Sequence, residues 1–86
     1  MINIQDELIK IIAKIVNPTE DLFPHTNLQD AGMTSITFIN IVVEIENCFD
    51  IEFPDEKLII TEANTVNDLY EIIIEQKNYL NQYTKE

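Results

Sequence analysis

The chain has 86 residues, enough for one domain with a small core, since a fold of this size buries only about 60–65% of the surface its unfolded chain exposes. That leaves little room for a deep catalytic cleft and favours a module on which other proteins act over a self-contained enzyme. Against 5 Lys plus Arg stand 16 Asp plus Glu, a net charge of -11, so nucleic acid and anionic membranes are disfavoured as partners, whereas a basic protein surface is attracted over a Debye length of roughly 8–10 Å.

Cys48 is the only cysteine, which excludes an internal disulfide and a cysteine-based metal cage. No signal peptide is expected, and no apolar run reaches about 18 residues. A cytoplasmic monomer forming a single domain over residues 1–86 is the expectation.

The first predicted helix begins after Asn3, an N-cap with Asp6 three residues on. Ile4, Leu8, Ile11, Ile12 and Ile15 form its apolar face, Asp6 and Glu7 sit early, and Lys10 and Lys14 sit late, as the helix dipole prefers. Asn17 and Pro18 end it. From Asn17 to Thr34 no helical period persists, and Leu22, Phe23 and Leu28 are expected to pin this long loop to the core. A second helix is predicted from Ser35 to about Phe49, capped by Thr34. Ile36, Ile39, Val43 and Glu46 lie on one track and Val42, Ile45 and Phe49 on the next, a stripe wide enough for a central helix. Thr37, Asn40, Glu44 and Asn47 make a polar face with Ile41 among them.

Asp50 to Pro54 alternates like a short strand without a partner and reads as an extended connection. Asp55 to Leu58 suits one short helical turn and Thr61 to Asn64 another. The last helix starts at Thr65, with Asp68 completing a capping box. Val66, Leu69, Tyr70, Ile72 and Ile73 face inward, and the helix is predicted to reach about Leu80, with 77–86 a fraying tail. The fold class is therefore all-α: a small four-helix bundle of three main helices plus a short one, with a long loop between the first and second.

Asp50, Glu52 and Asp55 lack the ligand spacing and glycine of a calcium loop, so no metal is expected. His25 lies ten residues from Ser35 in an irregular loop and reads as an ordinary loop histidine, which disfavours a serine-nucleophile mechanism. No catalytic residue is assigned.

Leu28, Asp30, Gly32, Met33, Thr34, Ser35 and Ile36, followed by Glu44, Glu46, Phe49, Asp50, Ile51, Phe53, Pro54 and Asp55, and then Thr65, Val66 and Leu69, resemble the acyl and peptidyl carrier proteins. The resemblance spans essentially the whole chain. It implies that Ser35 carries covalent 4'-phosphopantetheine from coenzyme A, whose thiol holds acyl or aminoacyl groups. Gly32 would allow the turn and a close approach, and Thr34 the cap. The family signature is Asp-Ser-Leu, and here Thr34 and Ile36 replace its outer residues, leaving the start of the recognition face uncharged. The implied partners are a phosphopantetheinyl transferase, a loading enzyme and downstream synthase or tailoring enzymes, docking on Met33, Ile36, Thr37, Asn40, Ile41, Glu44, Glu46 and Asp55. A free-standing carrier of polyketide or nonribosomal peptide type is expected, with a fatty-acid carrier or a non-carrier helical interaction module as alternatives.

Overall fold

The computed structural model describes residues 3–54 and 63–84, with side chains described through Asn78. Among these residues there are three helices, α1 (Ile4–Val16), α2 (Ser35–Phe49) and α3 (Val66–Thr84), and the single β-type pairing is an isolated bridge between Asn27 and Thr65. The all-α expectation holds. The two short turns predicted at Asp55–Leu58 and Thr61–Asn64 lie outside the described residues, apart from Ala63 and Asn64, which are not helical.

Local chemistry sets the ends of α1. Asn3 Oδ1 accepts from the Asp6 N–H at 3.2 Å, and Asn17 turns the chain out of the helix at φ 55°, its N–H donating to Ala13 O. Asparagine tolerates this left-handed conformation better than most residues with a Cβ. Leu8, Ile11 and Ile12 are buried, with Ile4 and Ile15 packed at the edge.

Helix α1 lies against both others, whereas α2 and α3 approach each other less closely. The central place expected for α2 therefore belongs to α1 among the described residues. The apolar width of α2 arises differently: Phe38, Ile41, Val42, Ile45 and Phe49 face the core, while Ile36, Ile39 and Val43 are exposed on the opposite side. Val16 beside Gly32, and Ile4 and Glu7 beside Phe49, show that α1 and α2 run antiparallel.

The long loop is tied down by Leu22 and Leu28, both buried, and by backbone bonds from Leu28 N to Asn64 O and from Asn67 N to Pro24 O, each 2.8 Å. Phe23, expected among these anchors, is instead 53% exposed, its ring stacked on His25 with centroids 6.1 Å apart. The connection after α2 is extended, as predicted. Ile51 and Phe53 point inward and Glu52 outward, and Phe53 meets Phe38 edge-on at 6.4 Å.

The capping box of α3 forms as read from the sequence: Asp68 N–H donates to Thr65 Oγ1 at 3.0 Å, and Asp68 Oδ2 accepts from Thr65 N–H at 3.2 Å and from Asn64 N–H at 3.1 Å. Val66, Leu69, Ile72 and Ile73 are buried, and Tyr70 is partly so. The helix continues past Leu80 to Thr84. Lys77, placed at the start of a fraying tail, is an anchor: its Nζ donates to Phe49 O at 3.2 Å. The last turn of α2 contains no basic residue of its own, so α3 supplies the cation that its C-terminal carbonyls favour. Lys77→Met is therefore expected to lower the unfolding free energy by about 1 kcal/mol, and Lys10→Met, at an exposed position, to change it by less than about 0.5 kcal/mol. Urea denaturation of the two variants measures the difference.

Candidate functional site

The junction that leads into α2 is built from two successive backbone devices. Residues 28–32 form a helical turn that ends in a Schellman arrangement: Met33 N–H donates to Leu28 O at 2.9 Å and Gly32 N–H to Gln29 O at 3.1 Å. Such an ending needs positive φ at the penultimate position, and Gly32 has φ 113°. A Cβ there would stand 3.6 Å from Val16 Cγ1, an ordinary contact. Glycine is thus required by the backbone conformation and not by lack of space.

The arrangement also decides where Met33 goes. The residue after the glycine characteristically packs against the residue five before it, and Met33 and Leu28 are both buried, Met33 at 4% exposure. Met33 is therefore a core residue, and its expected place in a docking patch is corrected.

Thr34 follows in extended conformation and caps α2, with Thr37 as its partner. Thr37 N–H donates to Thr34 Oγ1 at 3.3 Å, Thr34 N–H donates to Thr37 Oγ1 at 2.7 Å, and Thr37 Oγ1 donates to Thr34 O at 3.1 Å. A threonine here does the work that Glu or Gln usually does at the third position. The Thr37 hydroxyl, expected to face partners, is committed to the cap.

Because Thr34 caps, Ser35 is left as the first residue of α2 with an exposed side chain. The first turn of α2 contains no acidic residue, so its free N–H groups and the positive end of the dipole are not locally neutralised. A phosphodiester on an exposed hydroxyl at that position is electrostatically and sterically accommodated.

The remaining predicted site residues separate. Ile36 is 77% exposed and Asn40 is exposed, while Ile41 is 0% exposed and belongs to the core, a second correction to the docking patch. Ile41 lies three residues after Phe38 and four before Ile45, on the face turned into the core. Glu44 is half-buried. The Glu46 carboxylate turns inward to accept from the Phe53 N–H at 2.9 Å, so it staples the extended connection to α2 and is not a free charge for partners. Asp55 lies outside the described residues. Ile36 is exposed as its place in the docking patch requires, and Ile39 and Val43, each 47% exposed, join it in an apolar stripe although their helical period is compatible with burial.

Residues 6–73 match the phosphopantetheine attachment site family. The chain therefore belongs to that family and is a carrier protein, whose cofactor is covalently attached 4'-phosphopantetheine. A D-alanyl carrier protein of Streptococcus mutans is 32% identical over 77 residues, covering 88% of this chain and 98% of that protein. An aminoacyl carrier protein of Agrobacterium fabrum is 31% identical over 52 residues, 60% of this chain and 63% of that one, so the match spans less than two thirds of that relative. An acyl carrier protein of Syntrophobacter fumaroxidans is 28% identical over 75 residues, 85% of this chain and 90% of that one. The fold is shared with the PaxA T1-CDD/PaxB NDD docking domain complex of the Pax NRPS (TM-score 0.74, 16% identity, 100% of this chain and 86% of that one). It is shared too with an acyl carrier protein of Thermotoga maritima (TM-score 0.72, 21% identity, 87% of each chain). Among the described residues no helix is long and apolar enough to cross a membrane.

Replacing the two devices separately should show their weights. Gly32→Ala is expected to cost about 1–3 kcal/mol of stability through backbone strain, and Thr34→Ala about 1 kcal/mol through the lost cap, with Thr34→Asp retaining it. Urea unfolding curves give both values.

Proposed function

We propose that Ser35 is the residue that carries the arm, and that this chain holds acyl or aminoacyl groups as thioesters while partner enzymes act on them. The observation that carries the reading is the division of labour at the start of α2: Thr34 makes the cap, and the next hydroxyl is exposed at an uncompensated helix N-terminus. In the modification, Ser35 Oγ attacks the phosphorus of coenzyme A that bears the pantetheine. The new O–P bond forms as the phosphoanhydride breaks, adenosine 3',5'-bisphosphate leaves, and the serine proton passes to a base on the transferase. The amides of the first turn favour the charge that results. Gly32 and Thr34 act by holding the junction in shape. The chain is the substrate in these reactions, which we place in the cytoplasm, and its partners supply the catalysis.

The docking surface in this reading is the exposed stripe of Ile36, Ile39 and Val43 with Asn40 between them. An apolar and hydrogen-bonding patch suits partners that read shape at close range, with the net charge of -11 steering their approach. The uncharged first turn, together with the aminoacyl and D-alanyl carriers among the relatives, supports a specialised pathway of polyketide or nonribosomal peptide type. The acyl carrier relative favours the second reading, a carrier of fatty-acid synthesis. A ketosynthase of fatty-acid synthesis that bound the modified protein as tightly as its own carrier, with steep salt dependence, would decide for the second.

Incubation with coenzyme A and a broad-specificity phosphopantetheinyl transferase is expected to add the mass of one phosphopantetheine, and Ser35→Ala to abolish the gain. An unmodified chain beside an active transferase contradicts the proposal. Ile36→Asp is expected to weaken binding of a loading enzyme about tenfold while leaving the helical circular dichroism unchanged; undiminished binding removes the stripe from the docking surface.

A further inference from the structure

We propose that the furrow between α1 and α2 receives the distal end of the cargo and favours acyl groups that end in a carboxylate, an inference that rests on Ser35 as the attachment residue. The furrow has a volume near 600 Å³, with Ile15 and Val43 among its apolar walls and Lys10, Lys14, Asn40 and Glu44 contributing its polar groups. The whole chain has only 5 Lys plus Arg against 16 acidic residues. Two of those cations, Lys10 and Lys14, face this one furrow, and Glu44 is the single carboxylate lining it, an excess of one positive charge in a strongly negative molecule.

The lysines are not consumed by internal pairing. Lys10 is 75% exposed and its nearest carboxylate, on Glu7, is 3.9 Å away, a surface pair of small value. Lys14 has no ion pair among the described residues.

The furrow is also within reach. Ile36, 77% exposed, follows Ser35 directly, and Asn40, one helical turn beyond Ile36, forms part of the furrow wall. Along α2 the rise from Ser35 is about 7.5 Å to Asn40 and about 12 Å to Val43. Phosphopantetheine has the contour of roughly five extended residues, about 17 Å, enough to cross Ile36 and bring its sulfur to the Asn40 end. Cargo then runs past Val43 between the two helices. A neutral chain gains only the apolar walls, a terminal ammonium meets two like charges, and a terminal carboxylate meets Lys10 or Lys14.

Cys48 lines the far part of the same furrow and is exposed, which makes it a reporter. The full chain is loaded through the transferase with hydrolysis-stable, amide-linked glutaryl, pentanoyl or 5-aminopentanoyl analogues of coenzyme A, and loading is verified by intact mass. The sole thiol is then Cys48, and its alkylation rate by a maleimide is measured. The glutaryl form is expected to react about threefold more slowly than the other two, the size of a partly exposed ion pair. Lys10→Gln with Lys14→Gln should abolish the difference without changing the extent of loading. Equal rates in three verified loaded forms overturn the furrow proposal and leave Ser35 intact as the attachment residue. Failure to load at all overturns both. Slow alkylation of the unloaded protein that deepens with its own concentration assigns the furrow to a second copy of the chain and also overturns the proposal.

Discussion

Everything at the functional end of this molecule depends on the positive φ of Gly32. A residue with a Cβ resists that conformation, and without it Met33 N–H would not reach Leu28 O. The same turn sends the Met33 side chain into the core and delivers Thr34 in the extended conformation that an N-cap needs. Once Thr34 and Thr37 have satisfied each other, the next hydroxyl has no capping duty. The exposed serine is thus a consequence of two hydrogen-bonded devices placed back to back.

The rest of the fold holds that junction still. Helix α1 lies against both others, and the long loop leaves its end, bonds to the start of α3 through Pro24 and Leu28 and returns beside Val16, with Leu22 and Leu28 fastening it to the core. At the opposite end, Lys77 and Glu46 do comparable work: one satisfies a terminal carbonyl of α2 and the other ties down the connection that follows it. Two charges that would look like surface features in a sequence are internal fastenings. The consequence for function is that α2 presents an apolar exposed stripe, while the charge excess that remains acts at longer range.

Much of this was legible in the residues. The N-caps at Asn3, Thr34 and Thr65, the termination at Asn17 and the extended segment through Ile51 and Phe53 follow from local rules, because each depends on side chains within a few positions of the backbone they serve. The face of α2 was not legible. Ile36, Ile39 and Val43 satisfy a helical period as well as Phe38, Ile41, Val42, Ile45 and Phe49 do, and periodicity alone cannot choose between two stripes on one helix. The packed structure buries the stripe that contains both phenylalanines, the side chains with the most apolar area to remove from water. Met33 and Ile41 were not legible either, since the direction of one is set by the turn at Gly32 and that of the other by helix packing. Nor could the partner of Glu46 be read, because Phe53 N–H is seven residues away across an irregular connection. The furrow between α1 and α2 exists only once the helices are packed.

The central claim is that the hydroxyl beside the cap, and not one within it, carries the arm. Proteolysis of the modified protein followed by fragment-ion mass spectrometry tests this most directly, because Thr34, Ser35 and Thr37 offer three hydroxyls within four residues. The account predicts the whole phosphopantetheine on Ser35, with Thr34 and Thr37 unmodified. A group found on either threonine would contradict it, since the residue that carries the arm would then also be one that holds the helix start together.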